Sequence, residues 1–436
     1  MIDDLLTIAS DAVARARKVG ADAAEASVAD GSSTEVEIRE GRIEKLEGSE
    51  GRRIGLTVFS GKSSATISGS VLTGKSIQRL AENAFAMAKL APANPYAGVA
   101  EPELLATSFP DLDLVSEQLP DATGLERMAR EVEQAALSVS GVSKSGGANA
   151  SSGDRTSARV ISNGFAQGYR RTGVSFSVSA ISGNGTGMER DYDYSSAVHF
   201  SDLRPLESVG LEAGRRAVRR LNSRKVKSQA VPIVFDKRVA ASLIGHMLGA
   251  ISGSAIARGT SFLKEDLGKQ IFAEGITIVE DPFIPRGLAS RAFDEDGLAR
   301  AKRNIVERGV LTTWLLDLPS ARQLGLPPTG HGSGTSNLYM ESGESSRDEL
   351  LRDIAQGFYV TEMMGSSVNM VTGDYSRGAS GFWIENGELA YPVSEVTIAG
   401  NLKHMFRHVT PANDLEFRTS VNAPTCRVEG LTIAGL

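Results

Sequence analysis

The sequence contains very little cysteine: Cys426 is the only one among 436 residues. A single cysteine excludes an internal disulfide framework and fits a reducing compartment. We predict that Cys426 fills a core position, where a free thiol behaves as a small apolar group. A basic segment at the start is also missing, because the first helical pattern begins with Asp3 and Asp4. The N-terminus therefore predicts an amphipathic helix rather than a signal peptide, and a cytoplasmic protein.

An excess of positive charge is absent as well. The formal net charge of −6 argues against a general nucleic-acid-binding protein, which would present a basic face. One local group of basic residues does occur: Arg215, Arg216, Arg219, Arg220, Arg224, Lys225 and Lys227. We interpret this group as a solvated helix face that continues into a linker, with a basic binding patch as the alternative.

Long apolar runs are also lacking. The longest uncharged segment lies between Arg238 and Arg258 and carries glycines at positions 245, 249 and 253. Four-residue steps of small residues can describe a membrane helix. His246, several serines, few large apolar residues and the lack of a second span favour one buried helix, residues 239–257, that packs through its glycine face. We therefore expect no membrane association.

The hydrophobic patterns predict an α+β fold in two domains. Alternating apolar and polar residues between positions 22 and 68 predict an antiparallel meander, with amphipathic helices at 2–19 and 74–90 on either side. Strand patterns dominate again from position 230 onward. Near positions 223–229 the chain becomes basic and polar, which favours a boundary there. We predict an N-terminal α+β domain over residues 1–222 and a C-terminal β-rich domain over residues 223–436.

A hairpin is predicted near the end of the chain. Asn386-Gly387 lies between two apolar runs, and this dipeptide suits the positive φ angles of a type I′ turn. Upstream of it, residues 376–381 are interpreted as a glycine-rich loop. Its members Arg377, Gly378, Ser380 and Gly381 are candidates for close approach to a ligand or a second chain.

A nucleotide-binding motif is a weaker alternative. Residues 69–76, GSVLTGKS, have the spacing of a phosphate-binding loop, and residues 276–281 offer an acidic strand as its partner. Such a loop requires a parallel β-α-β arrangement, whereas the strands before it read as an antiparallel meander. The simpler interpretation is a turn followed by a helix that is capped at Thr73 or Ser76.

Histidines supply one further alternative. His404 and His408 are four residues apart and would share a helix face, with His331 as a third candidate metal ligand. No acid completes an HExxH arrangement around them. No nucleophile elbow of the Gly-x-Ser-x-Gly type follows a strand. His331 begins a glycine-rich segment, residues 331–336, which we interpret as a flexible loop that lines a ligand groove.

Several separated motifs resemble the PmbA/TldE proteins, the partners of TldD metallopeptidases, in the order in which that family carries them. The most specific is GDYSRGASGFWIENGELAYPVSEVTIAGNL at residues 373–402. The other motifs are RIGL at 53–56, TISGS at 66–70, FDEDG at 293–297 and TEMMG at 361–365. Together they extend the resemblance over nearly the whole chain.

The resemblance implies that this chain and a second protein have different roles in one complex. TldD-type subunits carry an HExxxH helix that binds zinc. The matching positions here are Ile244, Gly245 and Gly249, and residues 409–419 lack the cysteine of the TldD pattern. The resemblance therefore implies no catalytic residue, no metal and no cofactor in this chain, with zinc in the partner subunit.

The same resemblance implies a heterodimeric chamber in which peptides are cut as extended strands. Residues expected at the cavity or the interface are Arg377, Gly378, Ser380, Gly381, His331 and Arg258. A homodimer of the isolated chain stays open. The alternative from another class is a non-enzymatic partner that acts on DNA gyrase or a toxin–antitoxin pathway by binding alone. No nucleic acid is expected to bind this chain directly.

Overall fold

A computed structural model describes residues 2–435, apart from the side chain of Ser366. The first half forms one six-stranded antiparallel sheet with the strand order β3-β2-β1-β4-β5-β6. Its strands are β1 (Ala23–Arg39), β2 (Arg42–Ser60), β3 (Ser63–Gly69), β4 (Val142–Ile161), β5 (Ala166–Ser182) and β6 (Glu189–Ala197). Its helices are α1 (Ile2–Lys18), α2 (Gly74–Leu90), α3 (Ala122–Leu137) and α4 (Leu206–Arg219).

All four helices cover the same face of this sheet. Along β1, Ala24, Ala26 and Val28 face α1 and α2, whereas Val36 and Ile38 face α3 and α4. The two three-stranded units meet where β1 pairs with β4. The half therefore consists of two similar α-β-β-β-α units side by side. Within residues 2–435, no helix covers the opposite face of the sheet, which is polar.

The second half contains two further sheets. Its strands are β7 (Gln229–Phe235), β8 (Ile278–Asp281), β9 (Arg303–Glu307), β10 (Val310–Leu311), β11 (Asn337–Met340), β12 (Gln356–Val368), β13 (Asp374–Glu385), β14 (Glu388–Asn401), β15 (Val409–Pro411), β16 (Val421–Asn422) and β17 (Cys426–Ala434). Its helices are α5 (Lys237–Ala250), α6 (Gly253–Ala257), α7 (Leu318–Leu324), α8 (Arg347–Leu351) and α9 (Leu402–Arg407).

One of these sheets closes on itself. Its order is β14-β13-β12-β7-β17-β15, and β14 also pairs with β17, so five strands form a small barrel. The other sheet has the order β10-β9-β8-β11-β16. Their apolar faces share one core, in which Cys426 is fully buried, as predicted. The prediction of an α+β fold with an antiparallel meander and a β-rich second half is thus confirmed. The boundary at residues 222–223 stays a prediction.

The single helix predicted over residues 239–257 is wrong. The structure has α5 and α6, with a break at Ile251 and Ser252. At this break the N–H of Gly253 donates to the carbonyl oxygen of Leu315, and the N–H of Leu315 donates to that of Ile251. These bonds stabilise the interruption of the helix. The predicted glycine packing is also wrong for α5, because Gly245 and Gly249 are exposed. Among the helices within residues 2–435, none combines the length and the apolar character needed to cross a membrane.

The predicted loop at residues 376–381 is wrong too, because these residues lie inside β13. Gly381 pairs with Val360 of β12. A β-carbon at position 381 would meet the backbone of Tyr359 and would lie 3.0 Å from the Cα atom of Val360. Its glycine therefore permits close strand contact and does not mark a loop.

We expect Gly381→Ala to destabilise the chain. The added methyl group forces two barrel strands apart, which costs about 1–3 kcal/mol in the free energy of unfolding. Gly245→Ala is the matched control, because a β-carbon at this exposed helix position meets nothing within 4 Å. The control should raise stability by about 0.5–1 kcal/mol through helix propensity. Chemical denaturation followed by circular dichroism measures both, and equal effects would contradict this packing.

Candidate functional site

The three positions that match the zinc motif lie on α5, on two different faces. Ile244 is fully buried in the barrel core, whereas Gly245 and Gly249 lie on the exposed side. None of the three offers a nitrogen, sulfur or carboxylate ligand. The residues at these positions therefore do not fit a zinc ion.

His246 lies beside these positions. Its ring packs edge-on against Tyr375 of β13, with 5.7 Å between the ring centroids. Burial, together with the positive charge of Arg377, lowers the pKa of His246 to about 4. The imidazole is therefore neutral at physiological pH. Its Nε2 atom has no hydrogen-bond partner among the described residues.

The four candidate residues of β13 have different surroundings. Arg377 is half-buried, and its Nε atom donates to the carbonyl oxygen of Gly365 at 2.9 Å. Ser380 and Gly381 are buried within the sheet. Gly378 pairs with Met364 of β12. Of the four, Arg377 is the one whose charge acts on His246 of α5.

His331 belongs to a separate buried cluster. Its Nε2 atom lies 2.8 Å from a carboxylate oxygen of Glu280, and its Nδ1 atom lies 2.7 Å from the hydroxyl of Thr329. Arg300 donates to Glu280 at 3.2 Å. The backbone N–H and hydroxyl of Ser336 donate to the same carboxylate. The segment is a loop, as predicted, and Glu280 holds it at both ends through His331 and Ser336.

The carboxylate of Glu280 holds this cluster together. Burial raises the pKa of Glu280, but the hydrogen bond and charge of His331, the Ser336 N–H and Arg300 together outweigh burial and bring it to about 2. Burial lowers the pKa of Arg300 to about 10, although Glu280 opposes that shift. An ionised carboxylate thus stays in the core, because each of its oxygens has partners.

A cleft of about 930 Å³ opens between the polar face of the first sheet and the loop at residues 291–295. Ser333 lines this cleft, whereas His331 lies buried behind it. On the sheet side, Glu25 and Arg159 form an ion pair of 3.1 Å. Phe293 closes one end, with its ring centroid 5.0 Å from that of Phe165. Part of the predicted loop therefore does reach a cavity.

Two aspartates, Asp294 and Asp296, lie against Gly332 of this predicted loop. The N–H of Gly332 donates to Asp294 at 2.9 Å, and a β-carbon at position 332 would touch both Asp294 and Asp296. Burial and the neighbouring carboxylates of Asp294 and Glu25 raise the pKa of Asp296 to about 7. Like charges this close cannot all ionise at low cost.

The remaining candidates lie elsewhere. Arg258 is exposed at the end of α6. His404 and His408 are exposed and stack with 4.0 Å between their centroids, and each has one ring nitrogen within hydrogen-bond distance of a main-chain carbonyl. The structure does not bring them to His331. Across residues 2–435, no group of three or more His, Cys, Asp or Glu residues is placed to hold a metal ion.

The residues that resemble a phosphate-binding loop follow an edge strand of an antiparallel sheet. β3 pairs only with β2 in this sheet, and the hydroxyl of Thr73 accepts a hydrogen bond from the N–H of Ser76. This arrangement is a capped helix start, and it differs from the parallel unit that a phosphate-binding loop requires.

Sequence reasoning missed Glu280 and Arg300. The one available signal was an acid in an apolar strand, since Glu280 follows Ile276, Ile278 and Val279. A buried acid needs partners. Its partners lie 20 and 51 residues further along the chain, so one sequence could not identify them.

Comparison with known proteins decides the family. Residues 24–88, 112–221 and 228–435 match the profiles of the PmbA/TldA metallopeptidase domain 1, central domain and C-terminal domain. The metalloprotease PmbA of Escherichia coli O157:H7 is 40% identical over 418 residues, which cover 95% of this chain and 92% of that protein. The chain belongs to the PmbA/TldD metallopeptidase family. A PmbA homologue of Haemophilus influenzae is 36% identical over 435 residues. The match covers 99% of this chain and 96% of that protein.

Solved structures agree with this assignment. A crystal structure from Bacteroides thetaiotaomicron, named as a candidate modulator of DNA gyrase, has a TM-score of 0.95 and 29% identity, with full coverage of both chains. TldE from Thermococcus kodakarensis has a TM-score of 0.87 at 19% identity, covering 98% of this chain and 100% of that one, which shows a shared fold. At the family level, the PmbA/TldD relatives therefore support a protease-related role.

We expect Asp296→Asn to change the pH dependence of stability. Between the unfolded pKa near 4 and the folded pKa of about 7, the folded chain holds a proton that the unfolded chain has lost. The stability of the natural chain therefore falls as pH rises through this window and levels off above it. The asparagine variant should match the natural chain at pH 4 and exceed it by about 2–4 kcal/mol at pH 8. A difference that stays constant with pH in urea titrations would contradict the assignment.

Proposed function

We propose that this chain is the non-catalytic subunit of a cytoplasmic zinc metallopeptidase. In this proposal a TldD-type partner supplies the zinc site, and the chain described here shapes the chamber in which unfolded or small peptides are cut. The observation that carries the proposal is the composition of α5, where Ile244, Gly245 and Gly249 replace the ligands and the general base of a zinc peptidase.

The geometry of α5 supports the proposal. Gly245 and Gly249 place no side chain at two exposed positions one turn apart on the helix, so another backbone can approach closely there. Beside this face, Arg377 presents a guanidinium group that can donate to main-chain carbonyls or a terminal carboxylate of a peptide. Contacts to the peptide backbone tolerate varied sequences, which suits a broad peptidase.

Reconstitution tests the proposal. The chain would be assayed alone and after mixing with a TldD-type protein from the same organism that keeps HExxxH, using an unstructured fluorogenic peptide. We expect co-elution on size exclusion and cleavage by the mixture only. Replacement of the partner's motif glutamate should abolish cleavage. Cleavage by the isolated chain at the rate of the mixture would contradict the proposal.

A second candidate is a binding protein that modulates DNA gyrase without peptide cleavage. The name given to the Bacteroides thetaiotaomicron structure is the observation that favours it. In a supercoiling assay this chain would then change gyrase activity at stoichiometric concentration without a partner. The net charge of −6 favours contact with the enzyme over contact with DNA.

We expect Arg377→Ala to impair cleavage by the reconstituted complex by about tenfold or more, since one charge-assisted contact contributes about 1.5–3 kcal/mol. The free energy of unfolding of the isolated chain should fall by about 1 kcal/mol at most, because one hydrogen bond to Gly365 is lost. Arg308→Ala is the matched control, since this arginine is 76% exposed and pairs with Glu274. Unchanged turnover of the Arg377 variant would exclude its role at the cavity.

A further inference from the structure

A second groove lies between the two halves of the chain and is lined mainly by arginine. Its volume is about 530 Å³, and eight basic and four acidic side chains line it. We call it the arginine groove, after its lining residues Arg204, Arg215, Arg219, Arg238, Arg347 and Arg418. This excess of positive charge is notable in a chain whose net charge is −6. The groove includes Arg215, Arg216 and Arg219 from the basic group at residues 215–227.

Two buried aspartates of β6 hold several of these cations in place. Asp193 accepts hydrogen bonds from Arg204 at 2.8 Å and from Arg418 at 2.7 Å. Asp191 accepts from Arg238 at 2.8 Å. Burial raises the pKa of Asp193, but the surrounding arginines outweigh burial and lower it. The guanidinium groups are therefore positioned before any ligand arrives, which reduces the entropy cost of binding.

Other cations of the groove have no acidic partner of this kind. The side chain of Arg215 is exposed and forms no hydrogen bond or ion pair with any residue that the structure describes. Arg219, one turn further along α4, stacks over the ring of Phe382 at 5.0 Å. On the other wall, Arg347 pairs with the exposed Asp348. The groove thus keeps positive charge that its own acids do not neutralise.

An apolar strip accompanies this charge. Phe382 and Leu389, from neighbouring barrel strands, line the groove together with Leu211 of α4. A pocket of this volume accommodates a small ligand. The paired N–H groups of a guanidinium match the oxygens of phosphate and carboxylate groups. A guanidinium that lies over an aromatic ring can also stack with planar groups.

We propose that the arginine groove binds a small ligand with two or more clustered anionic oxygens, whose apolar part rests on Phe382 and Leu389. Phosphate and carboxylate groups share this chemistry. The groove lies between α4 of the first half and the barrel of the second half, so a bound ligand would contact both and stabilise their arrangement. This inference is independent of the proposed peptidase role.

Isothermal titration calorimetry of the full chain at fixed ionic strength tests the inference. The probes are tripolyphosphate and tetraglutamate, which present the two sources of anionic oxygen. We expect saturable binding of at least one probe with a stoichiometry of one, and the tighter probe identifies the source. An absence of saturable binding for both probes would overturn the inference.

Substitutions distinguish binding at a specific site from attraction of the probe by net charge alone. Arg215→Ala should raise the dissociation constant about tenfold, as expected for the loss of one charge-assisted contact, and should not affect folding. Arg79→Ala is the matched control, because Arg79 is likewise an exposed helical arginine, on α2, that no described residue pairs with. Equal weakening by both variants would show that net charge alone attracts the probe, and would overturn the site.

Discussion

The packing of α5 into the core of the second half is the constraint on which the functional account depends. Ala240, Leu243, Ile244, Met247 and Ala250 form its buried stripe. Burial of these side chains fixes the rotation of the helix, at about 1.5–3 kcal/mol for each large apolar residue. Ile244 must then point inward, and Gly245 and Gly249 must point outward. A zinc ligand at position 244 would replace a core residue.

Charged contacts connect the two halves around this core. Asp191 and Asp193 of the first half form ion pairs with arginines of the second half. Asp191 pairs with Arg238, and Asp193 pairs with Arg418. Loss of one partner from a buried pair leaves an uncompensated charge and costs about 3–5 kcal/mol. The relative position of the halves, and with it the cleft beside Ser333, therefore depends on a few specific ion pairs.

The helices that the sequence predicts correctly are those with regular spacing of apolar residues. The bounds of α2 follow from amphipathic spacing and from the cap at Thr73. Glycines caused most of the errors. Gly378 and Gly381 suggested a loop, but they pair with Met364 and Val360 of β12 and lie inside β13. A glycine that permits close contact between strands has the same local pattern as a glycine in a turn.

Only the part of the candidate site whose residues are close together in the sequence could be predicted. The loss of the zinc motif can be read from adjacent residues of α5. In contrast, the cluster around Glu280 and the arginine groove bring together groups that are distant in the chain. His331 was selected for its glycine-rich neighbourhood, yet its partner Glu280 fixes it in the core. Such partners depend on tertiary contacts, which a single sequence does not contain.

The stoichiometry of zinc in the isolated chain tests the central claim most directly. The chain would be dialysed against buffered zinc, freed of loosely bound metal and analysed by mass spectrometry of the metal, with a TldD-type protein that keeps HExxxH as the positive control. The account predicts far less than one zinc per chain, alongside about one in the control, as a tetrahedral site requires. One tightly bound zinc per chain would contradict it.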